Sequence, residues 1–267
     1  MQRRQPQSHA ATLRAELAAG TGYGAAELNS GAPVDRIGVV VPANNEESAL
    51  PVCLEGLRIA AGRVATPVTV IVVLDSCTDS SADVVHEASK SLGITVKALN
   101  VDAHNVGVAR RAGMAELLGR AAVQGTWLAT TDADSMVPAN WFAAQLNHAA
   151  AGARVVAGTV TVEDWQEHSR AVRDRATRDY VASPHRHVHG ANLSFMATAY
   201  MAAGGFSPLA SDEDVDLVDA FQTNDEPIAW AMDLAVTTSS RRQARAPSGF
   251  AGYLSSLAIL EDVREGR

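Results

Sequence analysis

The chain has 267 residues, of which 47% are hydrophobic, so it is long enough to bury the core of one large α/β domain or two small ones. Its formal net charge is −8 and its sequence pI is about 5.4, with lysines and arginines scattered along the sequence. This charge balance excludes a broad nucleic-acid-binding face, because such a face needs massed basic side chains.

Residues 1–35 are rich in Ala, Gly, Gln and Ser and predict a flexible N-terminal extension. Arg14 and Glu16 interrupt the apolar run that a signal peptide would need, and no stretch reaches the roughly 20 apolar residues of a membrane-spanning helix. Cys53 and Cys77 lack metal-ligand spacing and are typical of reduced thiols. We therefore expect a soluble, cytoplasmic protein with one folded domain.

Strands and helices alternate regularly in the first half of this domain, residues 36–136. Apolar β-branched runs predict strands at "RIGVVVP", "VTVIVVLD" and "TWLATT", with a short strand at "ITVKALNV". Helical spacing predicts helices at "ALPVCLEGLRIAA", "VVHEASKSLG" and "NVGVARRAGMAELLGRAA". This order indicates an α/β fold with a mostly parallel twisted sheet flanked by helices, in which ligands bind beyond the carboxyl ends of the strands.

The second half, residues 137–267, alternates less regularly. A helix at "WFAAQLNHAAAGA" and a strand at "RVVAGTVTV" precede a charged segment and a loop at "SPHRHVHGANLSF". A short helix at "MATAYMAAGGF" and a helix beginning at "SDEDVDL" come next. A strand, a basic loop and a last helix complete the predicted order.

Three aspartates, Asp75, Asp132 and Asp134, follow strands at the expected ligand edge of the sheet. An Asp-X-Asp at the end of a buried strand suits a hard divalent cation that also binds the phosphates of a nucleotide diphosphate. The same residues could instead cap a helix with Pro138 in its first turn. The motif alone does not separate these interpretations.

Six segments together resemble the nucleotide-diphospho-sugar transferases of the GT-A fold, and within them the family 2 glycosyltransferases. They occur in the family's order and at its usual separations. The resemblance implies a nucleotide-diphospho-sugar donor, Mn²⁺ or Mg²⁺, and a small-molecule or lipid-linked glycan acceptor. The segments are "VVVPANNEES" (39–48), "VLDSCTDSSADVV" (73–85), "NVGVARRAGM" (105–114), "WLATTDADSMVPANWF" (127–142), "GANLSFMATAYMAAGGF" (190–206) and "DEDVDL" (212–217).

For the donor, the resemblance implies a nucleoside pocket at the ends of the first two strands. Asp75 would read the base, and Asp79 would order the loop that follows it. Glu46 is expected near the ligand, although it could instead favour the first turn of the next helix through the helix dipole. The pocket residues are Pro42, Ala43, Asn44, Glu46 and Asp75.

The resemblance places charged residues around the donor's diphosphate. Arg110 is expected to face the diphosphate or Asp132, whereas Arg111 is solvated. Asp132 would contact the ribose or sugar and also the metal, for which Asp134 is the main ligand. The basic loop at residues 239–247 could neutralise the phosphates or form a solvated turn; its arginines are Arg241, Arg242 and Arg245.

In "SDEDVDL", the resemblance implies catalytic carboxylates at Asp214, the general base of an inverting transfer, and Glu213 beside it. The simpler alternative is that this segment only begins a helix. On the acceptor side, Gly190 would allow close backbone approach, and Asn192 would offer an amide to sugar hydroxyls.

Three other functions are compatible with parts of this pattern. The first is a retaining GT-A transferase acting on a small acid such as a phosphoglycerate. The second is a nucleotidyltransferase, although "PANNEES" lacks a glycine-rich basic phosphate loop. The third is a non-catalytic nucleotide-sugar-binding module, which would most easily have lost its clustered carboxylates. No sequence feature indicates the oligomeric state.

Overall fold

The computed structural model describes residues 33–119, 123–162, 164–166, 168–182, 187–239, 256, 257 and 259. Almost all of the predicted N-terminal extension lies outside this part of the chain. The basic loop with Arg241, Arg242 and Arg245 also lies outside it. Of the predicted last helix, only residues 256, 257 and 259 are described, and they are helical.

The described elements follow the predicted alternation closely in the first half. The strands are β1 (Arg36–Ala43), β2 (Val68–Asp75), β3 (Thr95–Val101), β4 (Thr126–Thr130), β5 (Ser135–Met136), β6 (Val155–Thr161), β7 (Leu193–Met196) and β8 (Ile228–Thr238). The helices are α1 (Leu50–Ala61), α2 (Ser81–Ser91), α3 (Val106–Leu118), α4 (Trp141–Ala150), α5 (Arg170–Ala182), α6 (Ala197–Ala203) and α7 (Glu213–Thr223), with a 3₁₀ turn at Gly190–Asn192.

The eight described strands form one mixed sheet in the order β3-β2-β1-β4-β7-β6-β8-β5. The strands β3, β2, β1 and β4 are parallel, as predicted, and the helices α1, α2 and α3 connect them in chain order. β7 runs antiparallel to both β4 and β6, and β5 runs antiparallel to β8. The parallel half therefore brings the ends of β1, β2 and β4 to one edge.

The core lies on both faces of this sheet. β1, β2 and β4 are almost wholly buried, which explains their continuous apolar runs. Helix α4 contributes the two fully buried rings of Trp141 and Phe142, and each such ring stabilises the fold by roughly 2–3 kcal/mol through removal from water. These packed elements hold the polar loops at the strand ends in place.

One local prediction is wrong. The segment "SPHRHVHGANLSF" does not stay a loop, because Leu193–Met196 forms the fully buried strand β7. Its four residues are too few to show the period that marks a strand in sequence. The helix predicted at "WFAAQLNHAAAGA" does begin at Trp141, so the alternative in which Asp134 or Ser135 caps a helix from Pro138 does not hold.

A small second cluster lies apart from the main core. Val172 and Ala176 of α5 pack with Leu257, and Trp165 covers them. Among the described residues, no helix has both the length and the apolar character to cross a bilayer.

Candidate active site

The loops that follow β1 and β2 are hydrogen-bonded to each other. Asn45 adopts a left-handed conformation with φ of 54°, and its Oδ1 accepts from the backbone N of Thr78 at 2.7 Å. Asp79 accepts from the backbone N of Glu47 at 3.0 Å, and Glu47 in turn accepts from Ser80 N at 2.8 Å. The other oxygen of Asp79, Oδ1, accepts from Ser81 N at 3.0 Å. The prediction that Asp79 orders this loop is therefore confirmed.

Asp75, at the end of β2, holds the loop before α3. Its Oδ1 accepts from the backbone N of Ala103 and His104 at 2.8 and 2.9 Å, and its Oδ2 accepts from Asn105 N at 2.9 Å. Burial alone would raise the pKa of Asp75, but these three N–H donors outweigh it and lower the pKa. Asp75 is therefore charged and fixed, and Asn44 Nδ2 donates to its backbone oxygen at 2.7 Å.

The start of α3 connects this donor edge with the segment before α7. Asn105 caps α3 by accepting from Val108 N at 2.9 Å. Gly107 donates its N–H to Leu209 O at 3.1 Å, and a Cβ at Gly107 would lie 2.2 Å from Ser207 O. Any side chain at position 107 would prevent this approach. Gly107 therefore lets the segment before α7 pack against α3, which brings the acidic start of α7 beside Arg110.

Asp132 and Asp134 lie in a turn between β4 and β5. The turn is closed by Ser135 N donating to Asp132 O at 3.1 Å. Burial, followed by the charges of Asp132, Asp134 and Glu46, raises the pKa of the Cys53 thiol beneath this turn. The thiol lies directly under this turn, because Cys53 Sγ donates to Asp132 O at 3.4 Å. Glu46 lies shortly before α1, and its backbone oxygen accepts from Ala49 N at 3.1 Å and Leu50 N at 2.9 Å.

Arg110 lies at the centre of the acidic groups and is only 3% exposed. Its Nη2 donates to Asp132 Oδ1 at 2.5 Å, and its Nη1 donates to Glu213 Oε1 at 2.8 Å. Arg111 is the exposed member of the pair and donates to Phe206 O at 3.3 Å. Thus Arg110 is the inward-facing arginine, as predicted, and it joins the Asp-X-Asp turn to α7.

The guanidinium of Arg110 is confined on two sides. Its Cζ lies 5.9 Å from the centroid of the Phe206 ring, and a Cβ at Gly190 would lie 2.2 Å from Nη1. Burial alone would lower the pKa of Arg110, but the carboxylates of Asp132, Glu213 and Asp214 raise it. Arg110 therefore remains a buried cation.

Asp214 is half-buried in the first turn of α7. Its Oδ2 accepts from Gly190 N at 2.5 Å, and its Oδ1 accepts from Val215 N at 2.9 Å. Burial raises the pKa of Asp214, and Arg110 and the two backbone donors only partly oppose this effect. The segment does begin a helix, at Glu213, yet its first two carboxylates face Gly190 and Arg110.

The expected acceptor role of Asn192 is not supported by its position. Asn192 is 2% exposed, and its Nδ2 donates to Thr159 O at 2.8 Å and Leu234 O at 2.9 Å. Its Oδ1 accepts from Trp141 Nε1 at 2.8 Å. Because these bonds use both amide hydrogens inside the core, Asn192 joins β6, β8 and α4 and does not face an acceptor.

Gly190 is also explained by the protein's own contacts. It is buried, its N–H is donated to Asp214, and its missing side chain makes room for the guanidinium of Arg110. The group that approaches Gly190 in this structure is Arg110, and the contact of Gly190 with an acceptor stays a prediction.

Within the described residues, no three His, Cys, Asp or Glu side chains gather closely enough to hold a metal ion by themselves. The half-buried carboxylates of Asp132 and Asp134 are nevertheless the hard oxygen ligands that Mg²⁺ and Mn²⁺ prefer. Asp132 is occupied by Arg110, so the donor set is suited to a cation whose remaining ligands come from phosphate oxygens and water.

The structure thus brings together five of the predicted site residues: Arg110, Asp132, Asp134, Glu213 and Asp214. Sequence reasoning missed Asn45 and Cys53. A positive φ favours Asn over most residues, but the sequence gives no sign of which asparagine adopts it. Cys53 is marked only by its position on the buried face of α1.

A family profile described as glycosyl transferase family 2 matches residues 38–211. This range contains β1 to α6 together with the Asp-X-Asp turn, and it covers well over half of the chain.

A curated relative is 32% identical over 106 residues, which cover 40% of this chain and 31% of the relative. It is the undecaprenyl-phosphate 4-deoxy-4-formamido-L-arabinose transferase of Serratia proteamaculans (strain 568). The matched stretch therefore spans about a third of that protein.

Solved glycosyltransferases share the fold at low sequence identity. The mannosyltransferase PcManGT of Pyrobaculum calidifontis, in complex with GDP-Man and Mn²⁺, has a TM-score of 0.62 at 14% identity and covers 89% of this chain and 65% of its own. S. aureus TarS 1-349 with UDP-GlcNAc gives 0.57 at 15% identity over 85% of this chain and 66% of that one. Glucosyl-3-phosphoglycerate synthase from Mycobacterium tuberculosis, with Mg²⁺ and UDP, gives 0.52 at 16% identity over 90% and 84%. The sheet order and helices are those of the GT-A fold.

Proposed function

The chain belongs to glycosyl transferase family 2, and on that premise we propose that it transfers a sugar from a nucleotide-diphospho-sugar to an acceptor hydroxyl with inversion at the anomeric carbon. Asp214 is the general base. Asp134 is the main protein ligand of a divalent cation that accompanies the donor. The acceptor is a small molecule or a lipid-linked glycan.

The observation that carries this proposal is the link between two acidic segments through one arginine. Arg110 contacts Asp132 of the donor-side turn and Glu213 of α7, although these residues are far apart in sequence. Because Arg110 holds Glu213, the next residue, Asp214, lies near the Asp-X-Asp turn. A transfer by direct displacement needs two carboxylate sites arranged around one reacting centre.

Asp214 has the properties that a general base needs. Its two oxygens accept from Gly190 N and Val215 N, so the carboxylate is held in one orientation. Because burial raises its pKa, the carboxylate of Asp214 is a stronger base than that of an exposed aspartate. In the proposed step, Asp214 takes the acceptor's hydroxyl proton while the acceptor oxygen bonds to the anomeric carbon. The bond from that carbon to the diphosphate breaks, and the diphosphate leaves with the electron pair.

The Asp-X-Asp turn supports a metal-bound donor. Asp134 would hold Mn²⁺ or Mg²⁺ together with the donor's phosphate oxygens, and such an ion stabilises the negative charge on a leaving diphosphate. Asp132 would bind the ribose or sugar hydroxyls while it remains paired with Arg110. A divalent cation is also supported by PcManGT and glucosyl-3-phosphoglycerate synthase, whose structures contain Mn²⁺ and Mg²⁺.

We propose that the nucleoside lies against the interlocked loops after β1 and β2. Pro42 and Ala43 end β1 and Asn44 follows them, and the chain's own hydrogen bonds hold Asp75 rigid beside them. A rigid polar edge of this kind can recognise a base by hydrogen bonds, and binding then costs no entropy for ordering the loops.

The test is a transfer assay with a panel of nucleotide-diphospho-sugars and acceptors, followed by NMR of the anomeric centre of the product. A product of inverted configuration that forms only with added Mn²⁺ or Mg²⁺ supports the proposal. A product of retained configuration on an acid acceptor such as a phosphoglycerate would replace it with the retaining alternative. Nucleotide-sugar binding without any transfer would favour the non-catalytic binding module.

A further inference from the structure

We propose that Glu213 is a positioning residue that fixes Arg110 on Asp132, so that the chain itself neutralises Asp132 and leaves Asp134 to bind the divalent cation. This inference rests on the proposed function and deepens it. It also gives Glu213 a role that differs from the catalytic one expected from the sequence.

The surroundings of Glu213 exclude it as a proton acceptor. The residue is 4% exposed, and its Oε1 accepts from Arg110 Nη1 at 2.8 Å. A general base must reach the proton that it removes, and the carboxylate of Glu213 is directed into the protein towards a guanidinium. Asp214, the next residue, is half-buried and is oriented by backbone N–H groups instead.

Arg110 cannot easily take another position. Its guanidinium lies between the Phe206 ring and the backbone of Gly190, where a single added Cβ would come within 2.2 Å of Nη1. The planar fork of an arginine can satisfy two carboxylates at once, which a lysine could not do with the same geometry. Glu213 therefore holds Nη1 of Arg110 and so directs Nη2 towards Asp132.

The contacts of Arg110 with Glu213 and Asp132 form a clamp. This clamp changes how strongly the Asp-X-Asp turn can bind a cation. A carboxylate that already accepts a charge-assisted hydrogen bond has given part of its charge and one lone pair to the guanidinium. Since cation affinity rises with the number of charged oxygen ligands, the clamp keeps metal affinity low until phosphate oxygens of the donor arrive. We therefore expect the divalent cation and the nucleotide-diphospho-sugar to bind together, and neither of them to bind well alone.

The first test measures binding of Mn²⁺ alone, by EPR titration without nucleotide. The variant Arg110→Met frees Asp132, so we expect Mn²⁺ to bind roughly tenfold more tightly than to the wild-type protein. Arg111→Met, which changes the exposed neighbour, should leave Mn²⁺ affinity unaltered. If Arg110→Met is folded and its Mn²⁺ affinity is unchanged or weaker, the clamp does not control the metal site.

Removing Arg110 leaves buried carboxylates without their cation, and the single variant could fail to fold. The double variant Arg110→Met with Glu213→Gln avoids a buried unpaired Glu213 and still frees Asp132. It also prevents Glu213 from acting as a new metal ligand. The same tightening of Mn²⁺ binding is expected in this variant, and its absence would overturn the proposal.

The second test separates positioning from catalysis by kinetics. Glu213→Gln can still accept from Arg110 and should lower kcat by less than about tenfold, whereas Glu213→Leu should raise the KM for the donor by at least about tenfold. If Glu213→Gln lost turnover as completely as Asp214→Asn, Glu213 would be a base and the proposal would fail. If the wild-type protein transferred no sugar at all, only the proposed function would fail, because the Mn²⁺ titration would still decide the role of the clamp.

Discussion

Gly190 lies against the guanidinium of Arg110 so closely that a Cβ at Gly190 would be 2.2 Å from Nη1 and 2.5 Å from Nη2. The same glycine donates its N–H to Asp214 Oδ2 at 2.5 Å. One residue without a side chain therefore sets the position of both the buried cation and the proposed base.

The variant Gly190→Ala should disturb both contacts. We expect a loss of about 1–3 kcal/mol in the free energy of unfolding, from overpacking against an immobile guanidinium, together with a fall in kcat. Urea unfolding and steady-state kinetics measure these effects. Gly62→Ala is the matched control, because a Cβ there would make only ordinary contacts of 3.5 Å or more. Wild-type stability and turnover in Gly190→Ala would contradict the packing described around Arg110.

The variant Asp214→Asn removes the proposed base and keeps its shape. Turnover should fall by about 10²–10⁴-fold, the usual contribution of a general base, while the KM for the donor changes little. Asp219→Asn, an exposed aspartate on the same helix α7, serves as the control and should retain wild-type kinetics. Unchanged turnover in Asp214→Asn would show that another group accepts the proton.

The pH dependence follows from the raised pKa of Asp214. The acidic limb of the kcat profile should lie above pH 3.8, the ordinary pKa of an aspartate, because only the deprotonated carboxylate accepts a proton. A kcat profile measured on the wild-type protein with saturating substrates locates this limb. A limb at or below pH 3.8 would contradict the assignment.

The same shift predicts an effect on stability. Folded Asp214 holds its proton more tightly than the unfolded chain does, so its stabilising contribution is full below the unfolded pKa and is lost as the pH rises through the folded pKa. Asp214→Asn should therefore raise the Tm at pH 7, and this gain should shrink as the pH falls towards 4. A thermal unfolding series over this range tests the sign, and a lower Tm at pH 7 would contradict it.

Asn192 should matter for stability and not for acceptor binding. Asn192→Ala leaves the indole N–H of Trp141 and two backbone oxygens without their partner, so we expect a loss of about 3 kcal/mol in the free energy of unfolding. Asn147→Ala, on the exposed face of α4, should cost far less. If Asn192→Ala were stable but had a raised acceptor KM, the acceptor role expected from the sequence would be restored.

Much of the fold could be predicted because its first half is built from long, regular signals. The continuous apolar runs of β1, β2 and β4 and the helical spacing of α1 to α3 are visible without any structure. β7 is different, because its four residues become a strand only through pairing with β4 and β6. Strand formation there is a tertiary effect that local sequence does not encode.

Individual residues of the candidate site could be predicted from the sequence, but the contacts between them could not. Clustered carboxylates mark Asp132 and Asp134 at a strand end and Asp214 at a helix start, but nothing in the sequence pairs Arg110 with Glu213, which follows 103 residues later. Asn192 shows the same limit, since an amide that binds substrate and one that joins buried strands look identical in sequence. Which polar groups end up buried depends on long-range packing.

The central claim is that the acidic edge binds a nucleotide diphosphate together with a divalent cation through Asp134. The most direct measurement is thermal unfolding of the wild-type protein and of Asp134→Ala with UDP, GDP, CDP and dTDP, each with Mn²⁺ and with a chelator. A ligand that binds only the folded state must raise the Tm. We predict a rise with one nucleotide, only with Mn²⁺, and its loss in Asp134→Ala. No rise with any nucleotide, or an equal rise in Asp134→Ala, would contradict this account of the site.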